Sequence, residues 1–371
     1  MKNIGENFFK QLKTELLTLG VDLNGLAVDH LCYRVQTEEE YFYQKEALTN
    51  RGVLLTEAFV NGRPIATFKL FDAFEVDEHK IDLIELPFPK KEVLYETGFE
   101  HAEVVIRESF ATFQKRYPYL DFVMSGHPNI NPELILKTKV GSVKFHYVPL
   151  DRVIEIENSN LTDIIFDLDG TIINSIDAIF EINRKVFSKI LNRDVSTEEA
   201  KDKFHSEFRK LFQAFDVACP KLKNEAMQSW GEVAKEFSYK AFDGIIELLV
   251  DLKARGFILH LWTARDEESA RKVLSDHKIL DIFSSLSFAN SENSKPHPKS
   301  LKLSLEDKVP NSYIVIGDSP ADIIGALNIN AIAAGALWDK HACHNSLVKS
   351  GAELRFFNVS EFQLWLEKKC S

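Results

Sequence analysis

The rhythm of the chain changes at the polar stretch IENSNLTD, residues 156–163, and this change restricts the fold more than any other feature. Downstream, short apolar runs alternate with amphipathic segments. Strands are expected at 163–168, 257–263 (FILHLWT), 285–289 (SLSFA), 312–318 (SYIVIGD), 331–336 (AIAAGA) and 354–359 (LRFFNV). Helices are expected at 243–255, 266–276, 297–306 and 319–328. Such alternation builds a parallel, doubly wound α/β sheet, because parallel neighbours need a crossover between them. One block breaks the pattern. Residues 174–241 read as helices only, with Phe204, Phe208, Leu211, Phe212 and Phe215 at helical spacing. Following directly on an acidic turn, this insertion is expected to form a helical cap over a site at the strand ends.

Upstream the pattern is mixed α+β. Phe8, Phe9, Leu12, Leu16 and Leu19 mark an amphipathic helix. Strand-like stretches follow at HLCYRV (30–35), IATFKLF (65–71), IDLIELPF (81–88), HAEVVI (101–106) and SVKFHYV (142–148). They form a weak internal repeat, in which His30 and Glu85 of one sub-half correspond to His101 and His146 of the other. A chain of 371 residues exceeds one ordinary domain. The reading is two domains, 1–157 and 158–371, joined by a short linker.

Net charge narrows the partners. At −11 the chain is unsuited to general nucleic-acid binding. No apolar run reaches the roughly twenty residues a membrane span needs. The start, MKNIGENFFKQLKTELL, lacks the apolar core of a signal peptide. Cys32, Cys219, Cys343 and Cys370 show no paired spacing and read as thiols in a reducing compartment. The expectation is a cytoplasmic protein; its oligomeric state is not legible.

The chemistry concentrates at the ends of the downstream strands. DIIFDLDGTIIN, residues 163–174, runs three apolar residues into Asp167 and then Asp169. Two carboxylates so placed repel unless a cation lies between them. Thr263 ends LHLWT, with Arg265 beyond it; Lys295 lies in NSKPHP; Asp318 ends IVIGD, with Asp322 beyond it. Acids of this kind suit Mg²⁺, a hard cation that takes oxygen ligands. Thr, Lys and helix N-termini suit a phosphate. Arg265 and His297 read as surface or pocket-wall residues.

These residues resemble the haloacid dehalogenase (HAD) superfamily of phosphatases over roughly 160–370. FDLDGT matches the first motif, Thr263 in LWTAR the second, Lys295 in KPHP the third and IGDSPAD the fourth. The resemblance implies that Asp167 is the nucleophile and Asp169 the general acid–base. It implies that Thr263 and Lys295 hold the phosphoryl oxygens. Mg²⁺ would be held by Asp167, Asp318 and the backbone carbonyl of Asp169, with Asp322 supporting the metal shell. Asp169 points to phosphate-ester hydrolysis or a mutase rather than dehalogenation. Asn174 departs from the Asp of many capped relatives.

The first half is similar to the YecM-like family, of the vicinal-oxygen-chelate (glyoxalase-like) fold, over roughly 10–155. VDHLCYRV, NGRPIATFKL, IDLIELPFP, GFEHAEVVI and VKFHYVPLD carry the likeness. The fold implied is a pair of βαβββ units. The implied metal pattern is His, Glu, His, Glu, for which this chain offers His30, Glu85, His101 and His146. Glu103, on the same strand face as His101, competes for a place. Arg63 and Lys69 are candidate anion contacts. A divalent transition metal is the expected occupant, with structural core histidines as the bland alternative.

The leading expectation is therefore a Mg²⁺-dependent phosphatase for a small phosphate monoester, preceded by a metal- or ligand-binding domain. The alternatives are a ligand-sensing protein with a vestigial phosphatase module, and a sugar-phosphate mutase using the same residues.

Overall fold

The computed structural model describes residues 1–60, 62–90, 95–126, 129–205, 208–289, 295–297, 299, 301, 305 and 311–369. The chain divides into two compact units, Met1–Asn158 and Ser159–Ser371.

In the first unit the amphipathic helix Lys2–Thr18 buries Phe8, Phe9, Leu12 and Leu16. Two βαβββ repeats follow. One comprises β1 (Ala27–Arg34), the helix Glu38–Thr49, β2 (Gly52–Val60), β3 (Arg63–Val76) and β4 (His79–Pro87). The other comprises β5 (Gly98–Val105), the helix Phe110–Lys115, β6 (Phe122–Ser125), β7 (Glu133–Lys137) and β8 (Ser142–His146). They join in one eight-stranded sheet of order β2-β3-β4-β1-β5-β8-β7-β6. β1 and β5 pair antiparallel at its centre, while β4 lies parallel to β1 and β8 parallel to β5. The paired βαβββ architecture is thus present. Strands β2, β6 and β7 are additions to the expected set.

The second unit holds a six-stranded, wholly parallel sheet. Its strands are β9 (Asp163–Phe166), β12 (Ile258–Trp262), β13 (Ser285–Ser287), β14 (Tyr313–Gly317), β15 (Ile332–Ala336) and β16 (Leu354–Phe356). The order is β13-β12-β9-β14-β15-β16, so successive strands run outward in opposite directions from β9. In such sheets ligands bind at the carboxyl ends beside this switch point. The crossovers include the helices Ile245–Ala254, Glu267–Asp276 and Pro320–Leu327. The expected helix 297–306 lies largely outside the described residues.

Among the described residues the insertion folds as four helices: Ile176–Leu191, Thr197–Asp202, Phe208–Ala214 and Pro220–Ala234. Their shared core is aromatic, with Phe187 and Phe215 stacked at 3.9 Å between ring centroids. The expectation of helices alone needs one correction. The chain enters and leaves the cap through a two-stranded antiparallel ribbon, β10 (Ile173–Asn174) and β11 (Lys240–Ala241). The ribbon sets Ile173 opposite Ala241 and Asn174 opposite Lys240, a pairing that a search for helical spacing cannot detect. No helix among the described residues is long and apolar enough to cross a membrane.

Candidate active site and a second ligand cluster

Strand β9 is buried along its whole length and delivers Asp167 to the carboxyl edge of the sheet. Thr263 follows β12 there, and Asp318 follows β14. The topology thereby gathers residues far apart in sequence. Carboxylate oxygens of Asp167, Asp318 and Asp322 lie within 4.8 Å of one another. Asp322 is 1% exposed. One of its oxygens accepts from the Ser319 N–H and Oγ–H at 3.1 and 2.7 Å, closing the first turn of its helix. The other accepts from Lys295 Nζ at 2.5 Å, and Lys295 also donates to Asp167.

One buried ammonium does not balance this group. Burial pushes the Asp167 carboxyl up to about 7, with Asp322 and Asp169 adding to it and Lys295 opposing. Asp318 stands well above the carboxylate range, through desolvation and the charges of Asp167, Asp322 and Asp339. Acids that cannot all ionise within a few ångströms fit a divalent cation, which would supply the missing positive charge.

Asp169 points elsewhere. Its carboxylate accepts from Arg265 Nε at 2.7 and 2.9 Å, from Arg265 Nη2 at 2.7 Å, and from Ser175 Oγ–H. Arg265 is 4% exposed, so its charge needs a partner. Burial works against that charge, but the Asp169 pair outweighs it and raises the guanidinium pKa. Arg265 is therefore part of the acidic floor and more than a wall residue. Its place two positions after the strand-end Thr263 is the signal sequence reading underweighted. Ser175 carried no signal. Thr263 is buried, its Oγ1 accepting from the Arg265 N–H at 3.1 Å. His297 is exposed.

Asp167, Asp169, Arg265, Lys295 and Asp318 lie at one end of a cavity of about 380 Å³ whose remaining walls come largely from the cap.

The first unit holds a second cluster. His30, Glu85, His101 and Glu103 each present a ligand atom, all within 4.8 Å of one another. His146 is not among them, which corrects the expected set. β8 runs parallel to β5 with Lys144 opposite Glu103 and His146 opposite Val105. His146 therefore lies a full strand repeat beyond the cluster. Its Nδ1 meets the Asn131 amide at 2.9 Å, and its Nε2 faces Asp29 at 3.4 Å. Lys144 instead reaches Glu103, donating at 2.7 Å. Lys69 donates to Asp151, and Arg63 donates through Nη1 to the Phe88 carbonyl while its Nε has no partner among the described residues.

The cluster histidines have a consistent orientation. His30 Nδ1 meets Asp29 at 2.9 Å, and His101 Nδ1 meets Glu100 at 3.0 Å. Both Nε2 atoms are buried and face the cluster's carboxylates: His30 Nε2 lies 3.5 Å from Glu85 and 3.4 Å from Glu103, and His101 Nε2 lies 3.2 Å from Glu103. An acid on Nδ1 with Nε2 turned toward further ligand types is how metal-ligating histidines are held. Desolvation opposes charge on both rings, yet Glu103 and Glu85 with Asp29 hold the His30 pKa well above the ordinary value, and Cys32, then Glu100 and Glu103, do so for His101. Asp29 and Glu100 were not legible as members of the site.

Comparison with known proteins agrees with this division. The model of the YecM protein family matches residues 3–122, and that of haloacid dehalogenase-like hydrolases matches residues 164–336. The first unit is a YecM-type domain and the second a haloacid dehalogenase-like hydrolase domain. Protein YecM of Escherichia coli (strain K12) is 27% identical over 160 residues, covering 38% of this chain and 84% of its own length. Pyrophosphatase PpaX of Anoxybacillus flavithermus is 23% identical over 182 residues, covering 48% of this chain and 85% of its own. A crystal structure of a predicted phosphatase from Clostridium acetobutylicum superposes with a TM-score of 0.52 at 23% identity. It covers 57% of this chain and all of its own, and supports the fold of the hydrolase domain.

Proposed function

We propose that the hydrolase domain is a Mg²⁺-dependent phosphatase acting on a small phosphate monoester through an aspartyl-phosphate. The observation that carries this reading is the excess of buried carboxylate at the carboxyl ends of β9 and β14. An Asp167 oxygen attacks phosphorus as the bond to the ester oxygen breaks, and Asp169 gives its proton to that leaving oxygen. Water then attacks the same phosphorus, Asp169 takes up a proton, and orthophosphate leaves with Asp167 restored as carboxylate. Lys295 and Thr263 hold the phosphoryl oxygens. To donate its proton Asp169 must give up its pairing with Arg265, and an arriving phosphate competes for that guanidinium. Mg²⁺, held by Asp167, Asp318 and the Asp169 carbonyl with Asp322 behind them, would neutralise charge on the transferring group.

Turnover of p-nitrophenyl phosphate with and without Mg²⁺ tests the reading. Asp167→Asn should abolish turnover with the fold intact, and Asp169→Asn should slow it about 10²- to 10⁴-fold. Near-wild-type activity in Asp167→Asn would remove it from the mechanism.

For the YecM-type domain the reading is a divalent transition-metal site of His30, Glu85, His101 and Glu103. The convergence of two Nε2 atoms and two carboxylates supports it, since imidazole suits such metals. A cytoplasmic setting fits the unpaired Cys32, Cys219 and Cys343.

A further inference from the structure

The two βαβββ repeats of the first unit are related by a local two-fold. Across the β1–β5 pair His30 faces Glu103 and Cys32 faces His101, so the two-fold exchanges His30 with His101 and Cys32 with Glu103. Glu85 stands opposite Cys32 on β4, and Lys144 stands opposite Glu103 on β8. The symmetry therefore carries Glu85 onto Lys144. Where one repeat offers a carboxylate to the cluster, the other offers an ammonium.

That ammonium meets the ligand set itself. Lys144 Nζ donates to Glu103 Oε1 at 2.7 Å. Burial opposes its charge, but Glu103 and Glu133 hold its pKa above the ordinary lysine value, so it is a cation at neutral pH. The same Glu103 oxygen lies 3.4 Å from His30 Nε2 and 3.2 Å from His101 Nε2. A divalent cation shared by the two rings and Glu103 would claim this oxygen beside the ammonium. Two cations on one partly buried carboxylate oxygen repel strongly. Lys144 has somewhere to go. Its stem is flexible, and Glu133 Oε1 on β7 lies 3.3 Å from Nζ. The Lys144 and Glu133 side chains are 18% and 24% exposed, against 1% for His30 and 6% for Glu103. The pair thus stands between the cluster and solvent.

We propose that Lys144 is a resident cation that stands in for the metal on Glu103, and that a metal binds by driving the ammonium across to Glu133. This rests on the metal reading of the YecM-type domain above and adds how the site is loaded. The charge of Glu103 is balanced in both states, so the domain keeps its fold with or without metal. Moving the ammonium lowers the affinity, which makes the site one for an exchangeable ion.

The test is calorimetric titration of the full chain with Ni²⁺, in excess Mg²⁺ to fill the acids of the hydrolase domain. The His30→Ala, His101→Ala double variant identifies the heat that belongs to this site. Lys144→Met keeps the stem and removes the charge, and should tighten Ni²⁺ binding about tenfold or more. Lys144→Arg keeps the charge and should not share the gain. Glu133→Gln removes the receiving acid and should weaken binding about tenfold in the wild-type background, but little in Lys144→Met, because the two residues act as a pair. A salt bridge that only braces β8 would lower the Tm of Lys144→Met without tightening Ni²⁺ binding. That result, a gain shared by Lys144→Arg, or an equal Glu133→Gln effect in both backgrounds overturns this inference and leaves the metal reading standing. If Lys144→Met does not fold, Glu133→Gln alone decides, and wild-type affinity there overturns the inference too. If neither the wild type nor Lys144→Met takes up Ni²⁺ at the histidines, both readings fall.

Discussion

Asp318 shows what the acidic floor costs the fold when no cation is bound. Its folded pKa is raised by desolvation and by Asp167, Asp322 and Asp339, and Asp167 is pushed up to about 7. An unfolded Asp titrates near 3.9. Between those values the folded protein binds more protons than the unfolded chain, so stability falls as pH rises from about 4 through about 7. Metal-free protein should therefore melt lower at pH 8 than at pH 6. Mg²⁺ displaces protons on binding, so its stabilisation should be larger at pH 8. Asp318→Asn should raise the metal-free Tm at pH 8, by about 2–4 °C for each kcal/mol relieved, and remove most of the Mg²⁺-induced shift. Thermal melts at the two pH values check this; a Mg²⁺ shift larger at pH 6 would contradict it. Single residues were unevenly legible. The acids that follow strands announced themselves by position. The environment of Asp169 did not, because Arg265 and Ser175 meet it only after β12 and the cap are in place.

At the scale of elements, the turn after β9 imposes a constraint of its own. Gly170 has φ of +80°, and a Cβ there would lie 2.3 Å from an Asp318 carboxylate oxygen. The left-handed backbone alone costs a larger residue about 1–2 kcal/mol. Gly170→Ala should cost at least that in stability. It should also weaken Mg²⁺ binding and turnover at least tenfold by displacing Asp318, which Mg²⁺ titration of activity would measure. Wild-type Mg²⁺ dependence in the variant would mean that Asp318 has room to give. The parallel strands were readable because burial on both faces makes continuous apolar runs. In the first unit β2 and β6 escaped notice for the opposite reason. They are the two edges of the eight-stranded sheet, and they leave Val53, Phe59, Val123 and Met124 exposed. Without an inner face to bury, their residues do not alternate, and the period-two signal is weak. His146 misled because residues on one strand face are equivalent in sequence. Only the β5–β8 register distinguishes Lys144, beside the cluster, from His146, one repeat beyond it.

At the scale of the whole molecule, two units with separate cores carry two candidate ligand sets of different chemistry. One is all oxygen and suits Mg²⁺; the other contains two imidazoles and suits a softer ion. Calorimetry of the full-length protein should resolve two transitions. Mg²⁺ should shift one of them and Ni²⁺ or Zn²⁺ the other, by about 5–11 °C at a hundredfold excess over Kd. The His30→Ala, His101→Ala double variant should lose only the second shift. If the wild type shows no second shift under saturating metal, these histidines serve the core. The ribbon of β10 and β11 has a further consequence. Asn174 and Lys240 are paired across it, so the cap begins and ends at one point of the catalytic scaffold. A segment attached in this way is a cassette. Its helices can lengthen, shrink or be exchanged without breaking the register that aligns Asp167, Thr263 and Asp318. Reactivity and selectivity are thereby inherited separately, and relatives with the same floor are free to diverge in the compounds they admit.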